Sequence, residues 1–405
     1  MSGVAVLRDS VASGRLTLAS CSEEKVVRVF DAPRACLDTL LALGAELRGR
    51  DFENVKWARD VSSAHEARAL GASLPALGLS NRAIFADQTP AADATRDALV
   101  GADAYDQGPD DAPDPAAPAA VAEPPLEEHL AQHALWPESH KLYGHGNEVH
   151  CVAGRAQRRE ENGEADEKYP TLFASSSRAL APSAAHVWLW DADRACAAGK
   201  AAAHALTPTC LAFSPDGRWL ASGGRDRAVC LFGVSEGAEG SDALRLACKV
   251  ERAHARVVWD VAWSPPLRMA GNGETVFLLA TASRDGAVKL WTVRATSSSE
   301  GGSSRSSPAL EPLASHAHAC SVNALAFMPR SEAMPSLCLA LGCEDGRVVL
   351  LAVCPASGAC ERLGEGARHA AAVRRVAWRK RSTQGWDLAS AGDDHAVRFS
   401  CVRDA

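Results

Sequence analysis

Four times along this chain a run of small residues passes through an aspartate into a strand of alternating apolar positions. The runs read LASGGRDRAVCLF at 220–232, LATASRDGAVKLW at 279–291, LALGCEDGRVVLL at 339–351 and LASAGDDHAVRFS at 388–400. Apolar stretches of this length on either side of a tight turn predict antiparallel strand pairs with a buried face. Ahead of each run a histidine (His204, His254, His318, His369) stands nine residues before an aromatic (Phe213, Trp263, Phe327, Trp378). Three looser stretches share the strand–turn–strand shape. LTLASCSEEKVVRVFD covers 16–31, with Val4–Leu7 as a candidate inner strand before it. GASLPALGLSNRAIF covers 71–85 and carries Asn81 in the aspartate slot. KLYGHGNEVHCV (141–152) leads to HVWLWD (186–191), its turn replaced by the loop SRALAPSAA (177–185).

Repetition at this spacing is the signature of WD40 repeats, whose period is normally ~40–45 residues. Here successive histidines are 50, 64 and 51 residues apart, so the loops carry insertions. The expected fold is all-β: a single seven-bladed WD40 β-propeller over residues 1–405 with disordered loop insertions. The predicted blades are approximately 4–31, 40–86, 140–191, 204–234, 254–293, 318–353 and 369–401. Residues 89–128, rich in Ala, Pro and acidic side chains, bury too little apolar surface to offset their ordering entropy and are expected to be disordered. The stretches 155–170 and 295–308 read as further exposed loops.

Composition excludes more than it assigns. The net charge of −7 gives no global attraction to nucleic acid or anionic membrane. No apolar run of about 18 residues predicts a transmembrane helix, and the N-terminus lacks the basic-then-apolar order of a secretory signal. The 13 cysteines include no CxxC pair, so no zinc ribbon is predicted and reduced thiols are the expected state. HGNEVH at 145–150 spaces its histidines by five, not the four of a zinc-binding helix face, and no metal or cofactor is expected. GHG (144–146) and GNG (271–273) lack the third glycine of a dinucleotide site, and neither GxSxG nor a P-loop is present.

In the WD40 pattern a His, a Ser or Thr, the turn Asp and a Trp form a buried hydrogen-bonded tetrad. The fullest candidate set is His254, Ser283, Asp285 and Trp291; elsewhere Phe232, Leu351 and Ser400 stand in the Trp position. A catalytic His–Asp pair would be needed once, whereas this one recurs, so these residues read as structural and the chain as a non-enzyme. The chemistry that remains is electrostatic. Propeller geometry puts the aspartate turns and the histidine loops on one face. Arg225, Arg227, Arg256 and Arg284 should therefore form a basic patch over two adjacent blades. The equivalent turns elsewhere are acidic: Glu23–Glu24, Glu344–Asp345 and Asp393–Asp394. A second basic run, Arg374, Arg375, Arg379, Lys380 and Arg381, lies in another blade.

Several stretches outside the repeat frame carry a closer resemblance: GASLPALGLSNRAIF (71–85), LEEHLAQHALWPESHKLYGHGNEV (126–149), GRDR (224–227), AHARVVWDVAW (253–263), TASRDGAVKLW (281–291) and SEEKVVRVFDAPR (22–34). Together they resemble the Elongator complex subunit 2 family over most of the chain. That family is a non-catalytic scaffold of two joined seven-bladed propellers within a complex that modifies the wobble uridine of tRNA, the chemistry residing in another subunit. The resemblance implies that only the second propeller is present here, with Met1 inside a blade. It implies, as partners, the large scaffold subunit 1 and catalytic subunit 3 of Elongator, a weak or indirect tRNA contact, and no membrane. It places the protein in the cytoplasm and also the nucleus, and assigns a binding role to arginines matching the four-membered patch. The alternative is a WD40 adaptor of another complex, such as a ubiquitin-ligase substrate receptor.

Overall fold

The computed structural model describes residues 3–10, 15–40, 68–73, 81–85, 134–156, 170–235, 242–268, 275–294, 309–329, 336–380 and 385–402, with residues 126, 130, 237, 238 and 240 besides. They form antiparallel sheets of the propeller-blade type, in which strands pair in sequence order, with short strands intervening in the first and fourth. Blade 1 comprises Gly3–Ser10, Arg15–Cys21, Val26–Asp31 and Glu138–Tyr143. Blade 2 comprises Val149–Gly154, Leu172–Ser177, His186–Asp191 and Cys196–Ala202. Blade 3 comprises Pro208–Phe213, Trp219–Gly224, Val229–Val234 and Leu244–Val250. Blade 4 comprises Val258–Trp263, Thr275–Ser283, Ala287–Arg294 and Leu310–Ala317, with Leu267–Arg268 beside its second strand. Blade 5 comprises Val322–Phe327, Leu337–Cys343, Val348–Val353 and Cys360–Glu365. Blade 6 comprises Val373–Lys380, Trp386–Gly392 and Val397–Val402.

The fold is thus an all-β propeller, but six blades rather than the expected seven are built from the described residues. The unit expected at 40–86 is the difference. Within it Gly71–Ser73 and Arg82–Ile84 pair only with each other. This ribbon is moored to blade 1 by backbone hydrogen bonds from Arg34 to Ala69 (2.9 Å), Ala35 to Leu70 (3.0 Å) and Glu138 to Asn81 (3.2 Å). The reason is topological: the stretch is an excursion between the third and fourth strands of blade 1, so Glu138–Tyr143 closes that blade instead of opening a new one. The insertions expected at 89–128, 155–170 and 295–308 lie almost wholly outside the described residues.

The core lies between blades. In blade 5 every residue of Leu337–Cys343 is buried. Val229 and Leu231 of blade 3 pack with Val258, Val261 and Leu279 of blade 4 in one apolar cluster. Polar clips reinforce these joints. The aromatics of the nine-residue spacing reach back to the preceding blade: Trp263 Nε1 donates to Ala212 O and Trp378 Nε1 to Ala326 O, both at 3.0 Å. Phe213 and Phe327, in the same positions of blades 3 and 5, have no N–H to give.

The inner strands of successive blades pack against one another around a hub. Asp260, buried on the inner strand of blade 4, accepts the backbone N–H of Leu325 in blade 5 at 2.8 Å and faces Arg375 of blade 6 at 3.4 Å. Burial pushes its carboxyl pKa up, and the Arg375 guanidinium works against that rise. We predict that Asp260→Ala lowers stability by about 1–3 kcal/mol, because a buried N–H loses its acceptor. Asp260→Asn, which keeps an acceptor oxygen, should recover most of that loss in denaturant melts. Equal melting points for the two variants would contradict the assignment.

Candidate functional site

Each blade from the second onward brings a histidine from the loop before its inner strand over the end of its second strand. In blade 3, His204 binds Ser222 Oγ through Nε2 (2.7 Å) and Asp226 through Nδ1 (3.0 Å). In blade 6, His369 binds Ser390 Oγ (2.8 Å) and Asp394 (2.8 Å) in the same way. In blade 2, His145 binds Ser175 Oγ at 2.6 Å and Trp190 Nε1 donates to that hydroxyl at 2.7 Å. The 177–185 loop supplies no aspartate there, and His145 Nδ1 is buried without a partner. His145 was legible only as half of a rejected metal motif; its place in the repeat was missed.

Blade 4 holds the expected His254, Asp285 and Trp291, but the hydroxyl between them belongs to Thr281, not Ser283. His254 Nε2 meets Thr281 Oγ1 at 2.8 Å, and Trp291 Nε1 donates to the same oxygen at 3.0 Å. Ser283 Oγ instead accepts the Asp285 backbone N–H at 3.2 Å. The indole donates to the hydroxyl, whose own proton has the imidazole Nε2 at 2.8 Å and the Lys289 carbonyl at 3.4 Å within reach; Nδ1 faces Asp285. That contact is 3.5 Å, too long for a good hydrogen bond. Burial drives the His254 pKa down to about 4 against the pull of Asp285, so at neutral pH the pair is not an ion pair.

One position explains why the His–Asp contact varies. The residue two before the turn aspartate is Gly224 in blade 3 and Gly392 in blade 6. A Cβ on Gly224 would lie 2.5 Å from both Asp226 Oδ1 and His204 Nδ1. One on Gly392 would lie 2.6 Å from His369 Nδ1 and 2.7 Å from Asp394 Oδ1. In blade 4 that position is Ser283 and the contact stretches; in blade 5 it is Cys343, and His318 and Asp345 form no contact within 4.0 Å. The closed pairs hold their carboxylates acidic. Burial raises the Asp226 pKa, but His204 and the backbone N–H groups of Ala205 and Ala228 together outweigh it and leave it lowered, and Asp394 is held well below the usual range chiefly by His369.

These braces fix the turns that carry the arginines. Arg225 N binds Thr207 O (2.8 Å) and Arg284 N binds Val257 O (3.0 Å), clipping each turn to the loop entering its own inner strand. His254 N binds Arg227 O across the joint between blades 3 and 4. Arg225, Arg227, Arg256 and Arg284, on these turns and the adjoining loop, are all exposed, and none forms an ion pair with a described residue. The turn position of Arg225 and Arg284 is Glu344 in blade 5 and Asp393 in blade 6. It is Arg178 in blade 2, where Glu148 neutralises it at 3.0 Å. Three members of the second basic run are paired within the chain, Arg374 with Asp393, Arg375 with Asp260 and Arg379 with Asp387; the Lys380 side chain and Arg381 lie outside what the structure describes.

Arg227 also has an unusual backbone, φ +69°. The corresponding residues of blades 4 and 5 are Gly286 (φ +77°) and Gly346 (φ +82°). A Cβ on those glycines would meet the carbonyls of His318 and His369 at 2.7 and 2.2 Å. Where Arg227 supplies a Cβ, the neighbouring loop stands off: its histidine N–H bond is 3.4 Å, against 2.8 Å in the two glycine joints.

The WD domain, G-beta repeat family matches residues 200–232 and 247–292. Beyond the repeats, the chain is similar to Elongator complex protein 2 of Arabidopsis thaliana, 34% identical over 400 residues that cover 95% of this chain and 42% of that protein. It is similar to the Danio rerio protein of the same name at 30% (95% and 46% covered) and to the human one at 27% (96% and 45%). The likeness expected from the residues therefore runs along nearly the whole chain, and the chain spans less than half the length of these curated relatives.

Two predictions follow from the braces. Thr281→Val, which keeps the shape but removes the oxygen serving His254 and Trp291, should cost about 1–3 kcal/mol, more than Ser283→Ala. Chemical denaturation of both variants checks this, and a reversed order would restore Ser283 to the centre of the tetrad. Acid should also destabilise the fold. Burial holds the His145 and His254 pKa values down to about 4 in the fold, against the ordinary 6.5. The unfolded chain then binds more protons between those values, so stability present above pH 6.5 is lost as pH falls towards 4, by up to about 3 kcal/mol per histidine. Melting points that stay flat across this window would contradict the buried neutral histidines.

Proposed function

We propose that this chain, a homologue of Elongator complex protein 2 along 95% of its length, is a non-catalytic scaffold whose basic face holds a partner of the Elongator complex. Its histidines and turn aspartates support this reading, since among the described residues those of blades 3, 4 and 6 are committed to bracing their own blades. The large scaffold subunit and the catalytic subunit are the partners we propose, with support of tRNA wobble-uridine modification as the outcome, in the cytoplasm and the nucleus. No helix among the described residues is long and apolar enough to cross a membrane. A seven-bladed ring remains part of this proposal, the seventh sheet coming from outside the six built here.

The observation that carries the proposal is Arg227. A non-glycine residue in the left-handed region costs roughly 1 kcal/mol; the equivalent residue is glycine in blades 4 and 5 (Gly286, Gly346), and in blade 6 it is His395 at φ +58°. An arginine kept there, beside three other exposed arginines without described acid partners, is better accounted for by binding than by solubility. The surfaces it fits are an acidic protein face or a phosphate backbone, both giving salt-sensitive association.

Purification of the tagged chain with its companions is the first test. Recovery of Elongator subunits supports the reading, and recovery of a ubiquitin-ligase core instead replaces it with the adaptor alternative. Arg227→Gly should then raise stability by about 0.5–1 kcal/mol while weakening partner association. Reversal of Arg225, Arg227, Arg256 and Arg284 to Glu should abolish it without lowering the melting point. Undiminished association of the reversed protein across a salt series would leave the patch a solvated surface.

A further inference from the structure

Blade 5 keeps the histidine and aspartate of the tetrad, His318 and Asp345, but neither its hydroxyl nor its Trp. In strand register, the place of Ser222, Thr281 and Ser390 is taken by Leu341, which has no hydroxyl for the histidine. The Trp position holds Leu351. His318 Nε2 is consequently buried with no hydrogen-bond partner. Asp345 does not reach His318 either. It is held by the Arg347 side chain through Nε at 2.6 Å, with the Cys320 thiol against it. The smaller and unbonded groups leave a cavity of about 320 Å³, lined by His318, Cys320, Cys343, Cys360, Arg347 and Arg362 among others.

We propose a metal site beside this cavity, in which Cys320 and Cys343, from its lining, and the adjacent Asp345 bind a zinc-like divalent ion and His318 supplies the fourth ligand. The Sγ atoms of Cys320 and Cys343 and a carboxylate oxygen of Asp345 already lie within 4.8 Å of one another. A tetrahedral zinc with bonds of about 2.3 Å to sulfur sets two sulfurs about 3.8 Å apart, so each donor needs to move by only about 1 Å. Thiolate, imidazole and carboxylate together select a borderline-soft ion over calcium or magnesium. Two thiolates and one carboxylate leave a bound dication with one excess negative charge, which Arg347 offsets while orienting the carboxylate, as outer-shell partners of metal ligands do. His318 is poised for the role because its Nε2 has no competing bond, whereas His316 Nε2 is occupied by Gly358 O at 2.8 Å. The ion would thus replace, in this one blade, the brace that the other blades build from hydrogen bonds.

Cobalt(II) is the probe, because tetrahedral thiolate ligation gives sulfur-to-cobalt charge-transfer absorption. The full chain, reduced and stripped with chelator, is titrated with Co²⁺ and then with Zn²⁺ in competition. One equivalent of Co²⁺ should bind with thiolate bands, Zn²⁺ should displace it, and Zn²⁺ should raise the melting point. Cys343→Ser and Cys320→Ser should each lose the bands and weaken binding by more than about 100-fold, and His318→Ala should weaken it while keeping them. A triple variant of the exposed Cys196, Cys354 and Cys401 to Ser should bind as the parent does. The proposal is overturned if no thiolate band forms in the parent, or if the band survives both Cys320→Ser and Cys343→Ser in folded protein. It is equally overturned if the freshly isolated protein holds a Cys320–Cys343 disulfide and the reduced form takes up no ion.

Discussion

A Cβ atom and a histidine–aspartate hydrogen bond compete for the same space in blades 3 to 6. Where the residue two before the turn aspartate is glycine, His204 and His369 close on Asp226 and Asp394. A serine there stretches the contact to 3.5 Å in blade 4, and a cysteine there accompanies its loss in blade 5. The imidazole also needs a hydroxyl beneath it, and the backbone N–H groups of Ala205, Ala255 and Ala370 need the carboxylate. One small volume therefore decides how firmly each turn is tied to its blade. A buried polar network is valuable only when its members are satisfied, which is why a blade that loses one member has freedom to lose the others.

The chemistry at the surface inherits this arrangement. The turns that the braces hold are the ones that present charge, and they differ in how far that charge is neutralised. Blades 3 and 4 carry arginines without described acid partners, whereas blade 2 pairs Arg178 with Glu148, blade 5 pairs Asp345 with Arg347 and blade 6 pairs Asp393 with Arg374.

Much of this was legible in the sequence because the repeat frame is carried by spacing. A histidine nine residues ahead of an aromatic, then an aspartate turn, located blades 3 to 6. The ribbon at 71–85 misled because its alternating pattern does not reveal that the chain has left blade 1 and will return to complete it at Glu138–Tyr143. Thr281 and Ser283 were confused because residues two apart share a strand face, and only the cross-strand register separates them. The Asp260–Arg375 pair and the thiol cluster were invisible for another reason. Each joins residues from separate strands, and no local pattern announces that they meet.

The most direct test of this account is nitrogen-15 NMR of the histidine imidazoles, read as protection and downfield shift of the Nδ1 proton. The account predicts a graded series: strong Nδ1–H signals for His204 and His369, a weaker one for His254, and none bonded to Asp345 for His318. Equivalent signals from all four blades would show that the residue before the turn does not control the brace, and would contradict the account.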